Sequence, residues 1–167
     1  MRLFLLFITS SLAFNYTFIN AVTGHVSLNR TKQIMANFYH DHVYRPTRSG
    51  YVQIYSGSQM ILNQIDMAQT DLIIQAIDQI TINNATNCNW KEIFSQPFTN
   101  SRLLIMFLDS HWCGEEPYHK VGMLHMKHVI YPVMIGPHAD MMDMYHIWGP
   151  CVRPGCAYGR DYLQYTE

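Results

Sequence analysis

The sequence predicts a single α+β domain, with helices early in the chain and a mostly antiparallel sheet after them. Three observations predict it. The 167 residues are 49% apolar and only 14% charged, which is enough apolar surface for one core and too little charge for a disordered chain. The first half carries apolar residues at helical spacing, and the second half carries long runs rich in β-branched, methionine and aromatic residues. Turn residues punctuate those runs at short intervals.

Taken in order, residues 28–44 (LNRTKQIMANFYHDHVY) place Ile34, Met35, Phe38, Tyr39 and His42 on one helical face. Asn29 or Thr31 can cap this helix, and Arg45-Pro46 ends it, because a residue before proline avoids the helical region. Residues 50–57 (GYVQIYSG) alternate and predict a short strand closed by Gly57. In 56–68, Ser58 is a capping residue ahead of Met60, Ile61, Ile65 and Ala68, which predicts a second amphipathic helix.

Residues 71–83 (DLIIQAIDQITIN) suit two periods. Leu72, Ile74, Ala76, Ile80 and Ile82 fall on one strand face, while Ile73, Ile77 and Ile80 fit a helix. Isoleucine density favours the strand. A polar connection over 83–100 leaves room for one helical turn around Trp90 to Phe94. Strands are expected over 101–112, 119–135 and 139–149, with GEEP (114–117) and GPH (136–138) as hairpin turns between them. In the first of these, Leu103, Ile105 and Phe107 share one face and Leu104, Met106 and Leu108 the other. Such a strand needs a cover on both sides, and a second subunit could supply one of them, so a homodimer is expected.

Export is the other expectation. MRLFLLFITSSLA has a charged start, a short apolar run and small residues before a cut, the pattern of a signal peptide over residues 1–13. The run is too short to cross a bilayer, and no later segment is long enough to anchor the chain, so no membrane partner is expected. Val22-Thr23-Gly24 offers a later cut, and a buried first strand or helix is the alternative reading. The domain is then expected over 25–150, followed by a disulfide-bonded tail over 151–167. Sequons stand at Asn15, Asn29 and Asn84, of which Asn29 and Asn84 are the expected glycosylation sites. Cys88, Cys113, Cys151 and Cys156 make an even set suited to two disulfides in an oxidising compartment, with their pairing open. A net charge of -1 without any basic run disfavours nucleic acid.

The leading helix ending FYHDHVY, the strand entering YSGSQMI, LLIMFLDSHWCGEEP with KVGMLHMKHVI, and the closing MDMYHIW together resemble the nuclear transport factor 2-like superfamily. The resemblance implies a strongly curved, cone-like sheet around an N-terminal helix, with a pocket at the wide end. Met106, Met123, His125, Met144 and Tyr145 would line such a pocket. Isomerases and dehydratases of that superfamily place Asp, His or Tyr inside the cone, which makes Asp109, His111, His125, Asp143 and Tyr145 the acid–base candidates here. No catalytic motif of the family maps onto them. The signal peptide, the cysteines and the tail all depart from the family pattern, and the nuclear transport activity is not expected.

The chemistry concentrates in 111–129, HWCGEEPYHKVGMLHMKHV. His125 and His128 stand three apart, which shares a face on a helix but not on a strand. A copper or zinc site would instead draw on His111, His125 and His146 from neighbouring strands, with Asp109 or Asp143. The expected function is a secreted, non-catalytic binding protein for a small apolar ligand or a protein partner, with no cofactor. A lyase or isomerase, or an extracellular metal binder, is the alternative.

Overall fold

The computed structural model describes residues 15–44, 49–83, 90–93, 95, 96, 98, 101, 103–109 and 128–135. Its organising element is a strand absent from the sequence expectation. YTFIN, rich in the β-branched and aromatic residues that suit a sheet, forms β1 (Tyr16–Asn20), which lies at the centre. It is followed by α1 (His25–Phe38), a π-helical turn (Tyr39–Val43), β2 (Tyr51–Ser56), β3 (Gln59–Asp66), α2 (Thr70–Gln79), α3 (Trp90–Ile93), β4 (Leu103–Leu108) and β5 (Val129–Met134). A cut as late as residue 24 would remove the central strand, so of the two cleavage places only the earlier leaves this sheet whole.

Helices and one mixed sheet are present, as an α+β fold requires, but the pairing corrects the antiparallel expectation. The strand order is β3-β2-β1-β4-β5. β1 pairs parallel with both β2 and β4, β4 pairs parallel with β5, and only β2 and β3 run antiparallel. Parallel neighbours cannot be joined by a tight hairpin. β4 and β5 are therefore not each other's hairpin partners, and the expected GEEP turn (114–117) lies outside the described residues. GPH and the strand over 139–149 lie outside the described residues.

Two more expectations are reversed. Residues 59–66 are a strand rather than a helix. Gly57, at φ 59, begins a two-residue loop with Ser58, and a positive φ at that first position is what a type II′ hairpin needs. The β2–β3 register slips twice: Val52 faces Ile65, Ile54 faces Leu62, and Tyr55 faces Met60. Each slip adds a residue to β3, with Gln64 at φ 42 in the first. These bulges break the two-residue alternation and leave the apolar positions spaced like a helix. Conversely, 70–79 is helical, with Ile73, Ala76, Ile77 and the following Ile80 buried on one face while Leu72 stays 45% exposed.

The sheet buries both faces. On the first, Phe18, Ile54, Ile105 and Tyr131 form one row against Met35 of α1 and Ile73 and Ile77 of α2. Phe38 meets Phe18 edge-on at 6.1 Å between ring centroids. Ile34, Met35 and Tyr39 are buried as the helical period requires, whereas His42 is exposed. On the second face lie Ile19, Tyr55, Met106 and Ile130, also buried. Phe98, just beyond α3, packs edge-on against Tyr55 at 5.5 Å. The chain thus brings its own cover to the second face, and burial of that face does not require a second subunit.

Two buried tyrosines couple the fold to alkaline pH. Tyr39 donates its hydroxyl proton to the Met67 carbonyl (2.8 Å) and lies 2.9 Å from the Thr70 hydroxyl, tying the π-helical turn to the start of α2. The Tyr55 hydroxyl is buried without a hydrogen-bond partner among the described residues. Burial raises the pKa of both above the ordinary tyrosine value. The folded chain therefore keeps protons that the unfolded chain releases above about pH 10, and stability falls as pH rises from there. Tyr55→Phe is expected to flatten that alkaline loss in urea titrations. At neutral pH it should leave stability unchanged or raise it by up to about 1 kcal/mol, since it deletes an unpaired polar group.

Candidate functional site

In an open sheet with parallel strands, ligands bind beyond the carboxyl ends of the strands, where the winding direction reverses. The chain runs from β1 outward to β2 and β3, then returns to β4 on β1's other side, so that point lies between β1 and β4. The residues there are Asn20 at the end of β1, 21–24 after it and Asp109 after β4.

Ala21 N–H continues the ladder to the Phe107 carbonyl at 2.9 Å, which keeps the two strand ends side by side. Asp109 then reaches across. Its Oδ1 accepts the Thr23 backbone N–H at 2.8 Å and the Thr23 hydroxyl at 3.1 Å, and its Oδ2 accepts the Gly24 N–H at 2.8 Å. Gly24 is the N-cap of α1, and neither a capping side chain nor an acidic residue occupies that helix's first turn. The carboxylate from β4 supplies the negative charge that the helix start favours. Asn29 and Thr31, the capping candidates in the sequence, lie inside the helix, where Asn29 is exposed and the buried Thr31 hydroxyl has no partner among the described residues.

Beside this clasp a second network seals the ends of β1 and β2. Asn20 Nδ2 donates to the Thr81 carbonyl (2.8 Å) and to Ser56 Oγ (3.4 Å), and Thr81 N–H donates to Ser56 Oγ (3.2 Å). Asn83 donates its side-chain amide to the Asn20 carbonyl and its backbone N–H to the Val22 carbonyl, both at 2.9 Å. Asn20, Ser56 and Asn83 are buried, so each bond satisfies a group that burial would otherwise penalise. The rim is different. His25 is exposed and Val26 is 86% exposed in the first turn of α1.

Of the acid–base candidates only Asp109 is described, and its oxygens are directed at Thr23 and Gly24; His111, His125, Asp143 and Tyr145 lie outside the described residues. So do the metal candidates His111, His125 and His146, and the pocket residues Met123, His125, Met144 and Tyr145. Met106 is buried within the second face of the sheet. Cys88, Cys113, Cys151, Cys156, Asn84 and the leader over residues 1–13 are likewise outside. Thr23, Gly24, Asn20 and Asn83 were missed by sequence reasoning. The one legible signal was an acidic residue closing the apolar run LLIMFLD. Elsewhere, a groove of about 270 Å³ runs along α1 past Arg30, Asn37, Phe38, Asp41 and His42.

No protein-family model matches the chain, and no curated protein sequence matches it. Among solved structures it is similar to proximal thread matrix protein 1 of the mussel byssus. The form with a zinc-occupied MIDAS motif matches at TM-score 0.61 and 12% identity over 81% of this chain. Two further structures of that protein match at TM-scores of 0.59 and 0.61, each again 12% identical over 81% of this chain. The match takes in 39% to 41% of the mussel chains, so this chain spans about two fifths of their length. At that identity the likeness is one of fold.

Asn20→Ala is expected to cost about 1–3 kcal/mol in urea unfolding, because it removes a buried side chain whose amide bonds both the Thr81 carbonyl and Ser56 Oγ. Leu72→Ala, on the exposed side of α2, is expected to fall within about 0.5 kcal/mol.

Proposed function

We propose that the chain is a secreted, non-catalytic binding domain that meets a protein partner with the rim at the carboxyl ends of β1 and β4. The observation that carries this reading is the contrast within the site. The polar groups described on its floor are bonded to one another, while His25 and Val26 on the rim are turned to solvent. A floor so occupied is poor ground for proton transfer: the Asp109 oxygens face N–H and O–H donors of its own chain. The lyase or isomerase alternative would need that carboxylate aimed at a substrate.

A small apolar ligand is the weaker form of the reading. The groove along α1 is below the usual 300–1,000 Å³ of ligand sites, and arginine, asparagine, aspartate and histidine share its lining with Ile34 and Phe38. The cone-like pocket implied by the resemblance to nuclear transport factor 2-like proteins draws on residues beyond those described. Secretion is supported by the leader-like start, the sequons and the even cysteine count, which together favour a glycosylated, disulfide-bonded extracellular chain. A matrix protein among the structural neighbours is in keeping with that setting. No helix among the described residues is long and apolar enough to cross a membrane.

Site-specific photo-crosslinking tests the reading on the secreted protein in extract of its own tissue. A photoreactive residue at position 26 should give adducts with a protein, and one at position 72 should not. Native mass spectrometry before and after organic extraction is expected to give the same mass. A loss of mass on extraction, with no adduct from position 26, would replace the protein partner with a carried apolar ligand.

A further inference from the structure

One structure of the mussel protein holds zinc in a MIDAS motif, which raises the question of whether the strand-end crevice of this chain can hold a cation. Zinc takes three or four ligands from cysteine, histidine and carboxylate, and calcium or magnesium takes six or more oxygens. The crevice has one described carboxylate. Three of its roughly four lone-pair directions already accept bonds from Thr23 N–H, the Thr23 hydroxyl and Gly24 N–H. The Thr23 hydroxyl donates its proton to that carboxylate. Asn20 directs its carboxamide oxygen at Val22 N–H (3.5 Å) and its amide hydrogens at Thr81 and Ser56. Among the described residues no three His, Cys, Asp or Glu side chains are grouped to hold a metal ion. The described residues do not fit a cation.

Gly24 shows how closely the space is filled. A Cβ there would lie 3.3 Å from Asp109 Oδ2, tighter than an ordinary contact, so the carboxylate rests against the loop backbone itself.

We propose that the Thr23–Gly24–Asp109 clasp takes the place of a divalent cation in this crevice, making the strand-end edge independent of metal. Two backbone N–H groups, a hydroxyl and the positive end of α1 balance the charge of Asp109, the work a bound cation would otherwise do. The same bonds tie the loop after β1 to the end of β4, so the rim bearing His25 and Val26 is held in position by protein groups alone. The proposal stands on the crevice geometry. It survives if the rim meets no partner, and its experiment uses none.

Thermal unfolding of the full secreted chain tests it, in excess EDTA and in zinc, magnesium or calcium chloride. Wild type should keep its Tm in EDTA. Asp109→Asn, which sets an amide against the loop donors, should lower Tm by about 5 °C or more, and by the same amount with EDTA present or absent. A site filled far above its Kd would raise the wild-type Tm by several degrees, so a missing rise is informative. No rise, or an equal rise in wild type and Asp109→Asn, supports the clasp, because the cation then binds away from the crevice. A fall of the wild-type Tm in EDTA, a cation-induced rise abolished by Asp109→Asn, or a Tm for Asp109→Asn equal to that of wild type would each overturn it. If that variant does not fold, Thr23→Val and Gly24→Ala, which loosen the clasp and keep the carboxylate, take its place under the same criteria.

Discussion

The parallel pairing of β1 on both sides is the constraint on which the rest of the structure depends. Five residues, Tyr16 to Asn20, set the register of β2 and of β4 at once, and through them that of β3 and β5. A strand in that position has no solvent face. Phe18 and Ile19 point to opposite sides and both are fully buried. Its polar residues must find partners inside the protein. Thr17 bonds to Gln53 of β2 and to Ser101 ahead of β4, while Asn20 bonds to Ser56 and Thr81. These side-chain bonds add specificity of register to a ladder whose backbone geometry alone would allow slippage.

Parallel pairing also decides where the helices go and where the crevice lies. The step from β1 to β2 has to cross the sheet, and α1 makes that crossing with Ile34, Met35 and Tyr39 facing inward. The return from α2 to β4 brings two strand ends together that are far apart in sequence. Asp109 and Thr23 are 86 positions apart, yet one carboxylate spans the gap. The chemistry of the site follows from that proximity. Its donors and acceptors close on each other across the two strand ends.

Much of the local structure was legible in the sequence. The helix through Ile34, Met35 and Tyr39, the strands YVQIYS and LLIMFL, and the short turn at Trp90 all lie where period and propensity placed them. The two reversals have a shared cause, because each segment carries a pattern suited to both periods. Bulges in β3 displaced its apolar residues from strict alternation, and isoleucine-rich α2 has strand-forming side chains at helical spacing. Packing against the sheet settled α2 as a helix. Asp109 was legible as a residue of consequence, and its task was not, since its partners are backbone N–H groups that any sequence carries.

By itself the sequence determined that α1, β2 and β4 carry buried positions, because burial follows from side-chain hydrophobicity and its local period. It determined helix α1 and the doubly buried β4 in the same way, but not β1, which precedes them and lies at the centre of the sheet. Strand direction was decided only by the tertiary structure. The same apolar run can pair either way, and the choice rests on which distant strand supplies the matching backbone groups. The same holds for the crevice, where a short-range reading saw an acid at the end of a strand and the folded chain made it the anchor of a helix.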